Sequence, residues 1–432
     1  MSATATTEKK YLKWYQKLAY GSGDLASNCS YGLVSSFVLL YLTGTLGLDS
    51  AIIGSLMLAS KVLDGISDVI FGTLIDRTHS KLGKARPWML FGQVGVSLCL
   101  FLLFAIPAGS TTMQYIYFFI VYTALNAVFY TANGIAYSSL VALITKNNNE
   151  RVQLGSFRFM FAVVTNIFMG FAVTGMVEKF GSGAAGWRTT ALIFAIVGLV
   201  VNTISCLAVK ELPEEELSGN TSEAAEEGKA VAEEKKHGFA ETAKILVHNK
   251  YYLMILAIYI VYYIMSNLTT GAGVFCATYY WGDGSLLGQF SMMKMFPVII
   301  ALAIAPVLIK KTGSMQKVNF WGYAISSVLG IPMIYFAMQK NLSMFLLFMF
   351  IKGIFAGTLS GSLNALIAEA SGYTTRTTGI HMDGMMYSCS SLGVKVGGGI
   401  GTAAVGWLLK LGGFVGTATV QSESAIRMIF NL

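Results

Sequence analysis

The sequence predicts an all-α polytopic membrane protein built as two six-helix halves, with the twelfth helix truncated or missing. Three observations predict it. Of 432 residues, 54% are hydrophobic and only 12% charged, with a mean hydropathy of +0.61, far from the composition of a soluble domain. Apolar stretches of ~20 residues, each long enough to cross the hydrocarbon core of a bilayer, recur along almost the whole length. One charged stretch, residues 210–250, interrupts them after six spans (Pro213-Glu-Glu-Glu, then Glu233-Glu-Lys-Lys236). The halves are therefore 1–209 and 251–432, joined by a central loop at 210–250.

In chain order the spans are expected at 24–46, 50–75, 87–107, 114–145, 154–178, 187–209, 251–280, 286–309, 318–338, 343–370 and 382–410. A twelfth would be starting near Ala425-Ile426. Met1 to Lys17 is polar and lysine-bearing and lacks the apolar core of a cleavable leader. Lysine and arginine set the orientation. Lys9, Lys10, Lys13 and Lys17 precede the first span, Arg77, Lys81, Lys84 and Arg86 follow the second, and Lys146 and Arg151 follow the fourth. The intervening loops 46–50, 107–112 and 282–285 carry neither residue. The positive-inside rule then puts the N-terminus in the cytoplasm of a multi-pass protein of the cytoplasmic membrane. The same placement explains the net charge of +8 without nucleic acid as a partner. Five isolated cysteines in apolar runs read as packing residues, and no HExxH, GxSxG or P-loop motif supports an enzyme or an ATP-driven pump.

Charge inside the spans is scarce, and the residues that stand out are Asp24, Lys61, Asp64, Asp68, Arg158, Lys294, Lys352, Asp383 and Lys395. Asp64 and Asp68 share one face of the second span at i, i+4, with Lys61 one turn earlier. A charge at bilayer depth costs roughly 2.5–3.5 kcal/mol on insertion scales, so two carboxylates on one stripe point to a bound cation or proton. Lys395 lies beside a small-residue stripe, Gly393, Gly397 and Gly401, that admits a close neighbouring helix. Asp24 in the first turn of its span also suits the helix dipole, and Arg158 could grip a hydroxyl or carboxylate through its fork.

Three segments carry a resemblance: Tyr20-Gly-Ser-Gly-Asp24, Lys61-Val-Leu-Asp64-Gly-Ile-Ser-Asp68, and Gly72-Thr-Leu-Ile-Asp76-Arg77-Thr-His-Ser-Lys-Leu-Gly83-Lys84-Ala-Arg86-Pro87-Trp88. Over residues 17–411 the chain resembles the glycoside–pentoside–hexuronide:cation symporters. The resemblance implies a major facilitator fold and cotransport of a sugar or glycoside with a proton or sodium ion, with no cofactor. It implies a coupling site of Asp64, Asp68, Thr131 and Lys395, the two aspartates being the metal ligands if sodium is the ion. It also implies substrate contacts at Asn28, Asp24, Arg158, Tyr137, Ser391 and Lys395, and conformational roles for Asp76, Arg77, Arg151 and Lys61. Four positions depart from the family's melibiose carriers. Asn28 and Gly134 stand where those have sugar-binding aspartates, and Ser138 stands where they have a stacking tryptophan, which disfavours an α-galactoside. Ser67 replaces an asparagine beside the cation site and leaves proton and sodium both open, while the retained Arg158 admits an anionic sugar.

The expected activity is thus sugar–cation symport by alternating access, carried out by a monomer in the bilayer. The alternatives are a cation-coupled lysolipid transporter of the same fold and a non-transporting membrane sensor.

Overall fold

The computed structural model describes residues 9–213, 248–378, 383–418 and 420–432. Most of the expected central loop, and the side chains of Asp383 and Cys389, lie outside the described residues. Among the described residues every regular element is helical: α1 (Trp14–Gly21), α2 (Gly23–Leu40), α3 (Ser50–Asp76), α4 (Arg86–Leu103), α5 (Thr111–Thr123), α6 (Thr131–Ile144), α7 (Asn148–Lys179), α8 (Gly183–Leu207), α9 (Lys250–Phe275), α10 (Leu286–Thr312), α11 (Met315–Met338), α12 (Leu342–Thr378), α13 (Asp383–Leu411) and α14 (Glu423–Asn431). Three wider π-helical turns continue rods without breaking them: π1 (Tyr41–Thr45) after α2, π2 (Ala124–Tyr130) between α5 and α6, and π3 (Cys276–Tyr280) after α9.

Helix starts follow local chemistry. Asp49 accepts from the backbone N–H groups of Ala51 and Ile52 at the head of α3, and Ser110, Asn147, Asn249, Ser314 and Ser422 cap α5, α7, α9, α11 and α14. Pro87 sits in the first turn of α4, where its missing N–H costs no hydrogen bond. Gly313 closes α10 in the left-handed conformation, φ 65°. Among the described residues ten candidate membrane spans are long and apolar enough to cross a bilayer. Large apolar side chains stand outward on them, Phe91 at 74% exposure and Phe320 at 68%, a surface suited to lipid. Of the remaining helices α3 is long enough but carries Lys61, Asp64 and Asp68 mid-length.

The contacts divide the chain into two units, residues 1–221 with 402–432, and residues 222–401. In the first unit α2 packs on α7 and α8, and α4 packs on α6 and α8. A buried cluster of Tyr20, Met89, Ala136, Tyr137, Leu140, Leu154 and Cys206 joins α1, α4, α6, α7 and α8 at one end. Phe37, Tyr41, Phe104 and Trp187 stack near the other. Gly95 is small because the Phe129 ring of π2 lies where its side chain would go. The tail of α13 belongs to this unit: Ser50 Oγ donates to the Gly406 carbonyl at 2.9 Å, and Lys410 pairs with Asp49 at 2.6 Å.

In the second unit α12 packs on α10 and α11. Gly353 and Gly357 admit Pro297, Val298 and Ala301 of α10, and Gly322 admits Phe355 and Thr358 of α12. The Gly393, Gly397 and Gly401 stripe of α13 meets Tyr259, Ile260 and Ile264 of α9, so the neighbour it admits is a helix of its own unit.

Candidate functional site

Helix α3 has 27 residues, about 40 Å at 1.5 Å per residue, and Asp64 falls near its midpoint. Asp64 is 8% exposed. Lys61, one turn earlier, places its Nζ 3.4 Å from Asp64 Oδ2 and 3.5 Å from Asn126 Oδ1, and 5.6 Å from the centre of the Tyr31 ring. On the other carboxylate oxygen, Thr131 Oγ1 approaches Asp64 Oδ1 to 2.6 Å. The same hydroxyl lies 2.9 Å from the Asn126 carbonyl. A hydroxyl has one proton. When Thr131 gives it to the carbonyl, the contact with Asp64 is made by a proton on the carboxyl.

The wider turn π2 builds this arrangement. It brings Asn126 and Thr131 into register across five residues, and the Thr131 N–H also bonds the Asn126 carbonyl. Such turns often sit at functional sites because they redirect one or two side chains without ending the helix. Ser67 Oγ donates to the Asp64 carbonyl at 2.9 Å, so its hydroxyl is spent within α3. Asp68 lies one turn beyond Asp64 and is partly buried.

A second cluster lies on α2, α6 and α7. Arg158 Nε donates to Asp24 Oδ2 at 2.5 Å, with side chains 26% and 18% exposed. The guanidinium rests 4.2 Å above the Tyr137 ring. Tyr137 and Tyr20 are tied reciprocally, each hydroxyl donating to the other's carbonyl, at 2.8 and 2.5 Å. Tyr137 Oη also lies 3.2 Å from Asp24 Oδ2. One turn along α2, Asn28 donates to the Asp24 carbonyl at 2.7 Å and accepts from Asn166 at 2.9 Å. Ser27 donates to Tyr130 at 3.1 Å, and the Tyr31 and Tyr130 rings stack at 5.3 Å. The α2 face from Asp24 to Tyr31 therefore links the arginine cluster to Lys61.

Of the residues singled out from sequence, the fold brings Lys61, Asp64 and Thr131 together, and separately Asp24, Arg158, Tyr137 and Asn28. The Arg158 charge is met by Asp24 within the protein, a pairing the sequence alone did not give. Tyr137 is buried, with its hydroxyl committed to main chain. Asp76 and Arg77 are exposed at the end of α3, and Arg151 Nε donates to the Thr145 carbonyl at 3.1 Å. Lys395 and Ser391 lie on the part of α13 that belongs to the second unit, Lys395 partly buried and Ser391 exposed. Sequence reading missed Asn126, Tyr31 and Tyr130. An asparagine inside an apolar run was the available signal for the first.

The family model described as MFS/sugar transport protein matches residues 19–432. The chain is 26% identical over 410 residues to the uncharacterized symporter YnaJ of Bacillus subtilis (strain 168), covering 94% of this chain and 85% of that protein. It is 25% identical over 426 residues to the isoprimeverose transporter of Lactiplantibacillus pentosus, covering 97% and 85%. Against the glucuronide carrier protein homolog of Escherichia coli (strain K12) the identity is 23% over 416 residues, covering 95% and 87%. Among solved structures, a bacterial homolog of the human lysosomal transporter Spinster superposes with TM-score 0.69 at 14% identity, covering 96% and 93% of the two chains. The xylose transporter XylE from E. coli gives TM-score 0.61 at 12% identity, covering 96% and 92%. Both likenesses establish the major facilitator fold. These relatives and neighbours are membrane transporters, not enzymes, and the chain belongs to the MFS/sugar transport protein family, the glycoside–pentoside–hexuronide:cation symporters of the major facilitator superfamily.

Proposed function

We propose that this protein is a sugar or glycoside symporter coupled to a proton, with Asp64 as the coupling carboxylate. The observation that carries the reading is the cluster that Lys61 and Asp64, near the middle of α3, form with Thr131 of α6. The ammonium of Lys61 stands where a metal ion bridging Asp64 and Asn126 would sit, and repels one. A proton needs no such vacancy. It neutralises Asp64, frees Lys61 from its partner, and uses Thr131 as the acceptor. That change of partners is the event sugar binding would sense, through the Tyr31 and Tyr130 rings that adjoin Lys61. Coupling is reciprocal, so the sugar raises proton affinity by the factor by which the proton raises sugar affinity.

The loops rich in lysine and arginine support an orientation in the cytoplasmic membrane with the N-terminus inside, and the protein is proposed to act as a monomer. The isoprimeverose transporter and glucuronide carrier homolog among the relatives support a sugar-type cargo. Lys395 and Asp68 are proposed to take part in coupling, and Asp24, Asn28, Arg158, Tyr137 and Ser391 in the substrate region. Asp76, Arg77 and Arg151 are proposed to act in the conformational change.

The test is uptake of a panel of neutral and acidic glycosides into proteoliposomes under imposed proton or sodium gradients. The expected result is accumulation under a proton gradient and none under sodium alone, with Asp64→Asn retaining sugar exchange but not accumulation. Sodium-driven uptake would overturn the ion assignment, and no flux of any sugar under either gradient would overturn the transport reading.

A further inference from the structure

The charges buried in the first unit's spans are answered within that unit, Arg158 by Asp24 and Lys61 by Asp64. The second unit holds a cation of another kind. Lys294 lies eight residues beyond Leu286, the first residue of α10, about 12 Å along the helix axis. Its Nζ is 2.9 Å from Thr270 Oγ1 on α9. Thr270 gives its own proton to the Ser266 carbonyl at 2.8 Å, so the ammonium is the donor in the Lys294–Thr270 bond. Among the described residues Thr270 is the one polar partner of Lys294, and no carboxylate is paired with it.

An ammonium has three N–H donors, and Thr270 uses one. The bond to α9 also runs across the helix pair, so the side chain is not directed along α10 toward a headgroup, as a snorkelling lysine would be. A second span cation lies close by in the fold. Lys352 of α12 precedes Gly353, which packs directly on Pro297 and the Met293 carbonyl of α10, beside Lys294. Lys352 likewise has no carboxylate partner among the described residues. Intramembrane ionisable residues are rare, face the bundle interior or a water-filled cavity, and mark substrate or ion pathways. Here the protein side supplies a hydroxyl and leaves the negative charge to a ligand.

We propose that Lys294, aimed by Thr270, is an anion-recognition subsite that takes the carboxylate or sulfonate of an acidic, polyhydroxylated substrate. The two remaining N–H groups donate to the oxyanion, and Lys352 adds a favourable field. Resting on the sugar-transport reading above, this assigns acid recognition to the second unit rather than to Arg158, whose charge Asp24 already answers.

The test uses methyl β-D-glucuronide and methyl β-D-glucoside, which differ in the C6 carboxylate. Binding of each to the purified full-length protein is measured by calorimetry, with Lys294→Gln, Thr270→Val and, as a control for net charge, Lys311→Gln. The wild type is expected to bind the glucuronide about tenfold or more tightly than the glucoside, as a charge-assisted contact requires. Lys294→Gln should erase that ratio and leave glucoside affinity unchanged. Thr270→Val, which keeps the ammonium and changes little in volume, should lower the ratio about threefold, and Lys311→Gln should leave it intact. Equal affinity for the two sugars in the wild type, no binding of the glucuronide, or an unchanged ratio in both site variants overturns the subsite. Gradient-driven accumulation of the glucoside with the glucuronide ignored removes the subsite and leaves the transport reading standing. Glucuronide bound through Lys294 without accumulation under any gradient does the reverse.

Discussion

Arg158 and Asp24 hold each other inside a mostly apolar bundle, and removing either leaves the other charge without its partner. Desolvation makes that costly in full burial, and the partial exposure of this pair reduces the cost. Arg158→Gln or Asp24→Asn is expected to destabilise the protein by about 1–3 kcal/mol. The double variant should recover part of the loss, because the pair couples. Thermal unfolding in detergent of the two single variants and the double one checks this, and strict additivity would contradict the pairing. A second residue-scale prediction concerns Asp49, which lies between spans. Burial raises its pKa, but the Lys410 ammonium and the backbone N–H groups of Ile52 and Ala51 outweigh that and hold the carboxyl below the usual range. A group depressed in the folded state contributes stability above its unfolded pKa of about 3.9, and that contribution is lost as pH falls through the lower folded value. The gap in melting temperature between wild type and Asp49→Asn should therefore be widest near neutral pH and close as pH drops below about 4. Which residues carry charge inside the bundle was partly legible in the sequence. Asp64, Asp68 and Arg158 stand out because charge in an apolar run is costly. That Asp24 is the partner of Arg158 was not, since 134 positions separate them and only the packing of α2 on α7 brings them together.

Among the elements, π2 has the clearest consequence. One residue deleted within Ala124–Tyr130 would restore the ordinary helical register and rotate the segment before it by about 100° relative to Thr131. Asn126 and Thr131 would then no longer converge beside Asp64. Such a deletion is expected to keep the folded protein and sugar exchange while losing accumulation, as Thr131→Val should to a lesser degree. Counterflow compared with gradient-driven uptake separates the two activities. Gly95→Val tests the same element from outside. A side chain there meets the Phe129 ring, so the yield of folded protein should fall sharply. The spans themselves could be read from the length of each apolar run, and most helices begin and end within a few residues of the expected bounds, while α7 starts at Asn148 rather than 154 and α12 runs to Thr378 rather than 370. The π turns could not be read in this way, because they add one residue per turn without changing hydropathy. The partner of the Gly393–Gly401 stripe was hidden for a related reason: small residues announce a close approach and do not say to which helix.

At the scale of the molecule, the fold was legible because a bilayer leaves few options for apolar stretches, and the class of activity because the Lys61–Asp68 and Gly72–Trp88 segments carry a family resemblance. The cargo was less so. The positions at which the resemblance implies sugar-binding carboxylates are Asn28 and Gly134 here, and the recognition of an acidic group is now proposed to rest on Lys294, whose meaning depends on which helix faces it. The central claim is that sugar and proton move together through Asp64. The most direct measurement adds a transported glycoside to weakly buffered, de-energised proteoliposomes and follows external pH. Sugar entry should alkalinise the medium at once, and Asp64→Asn should abolish the pH change while still exchanging labelled sugar. Sugar entry with no proton movement in the wild type, or an undiminished pH change in Asp64→Asn, would contradict the account.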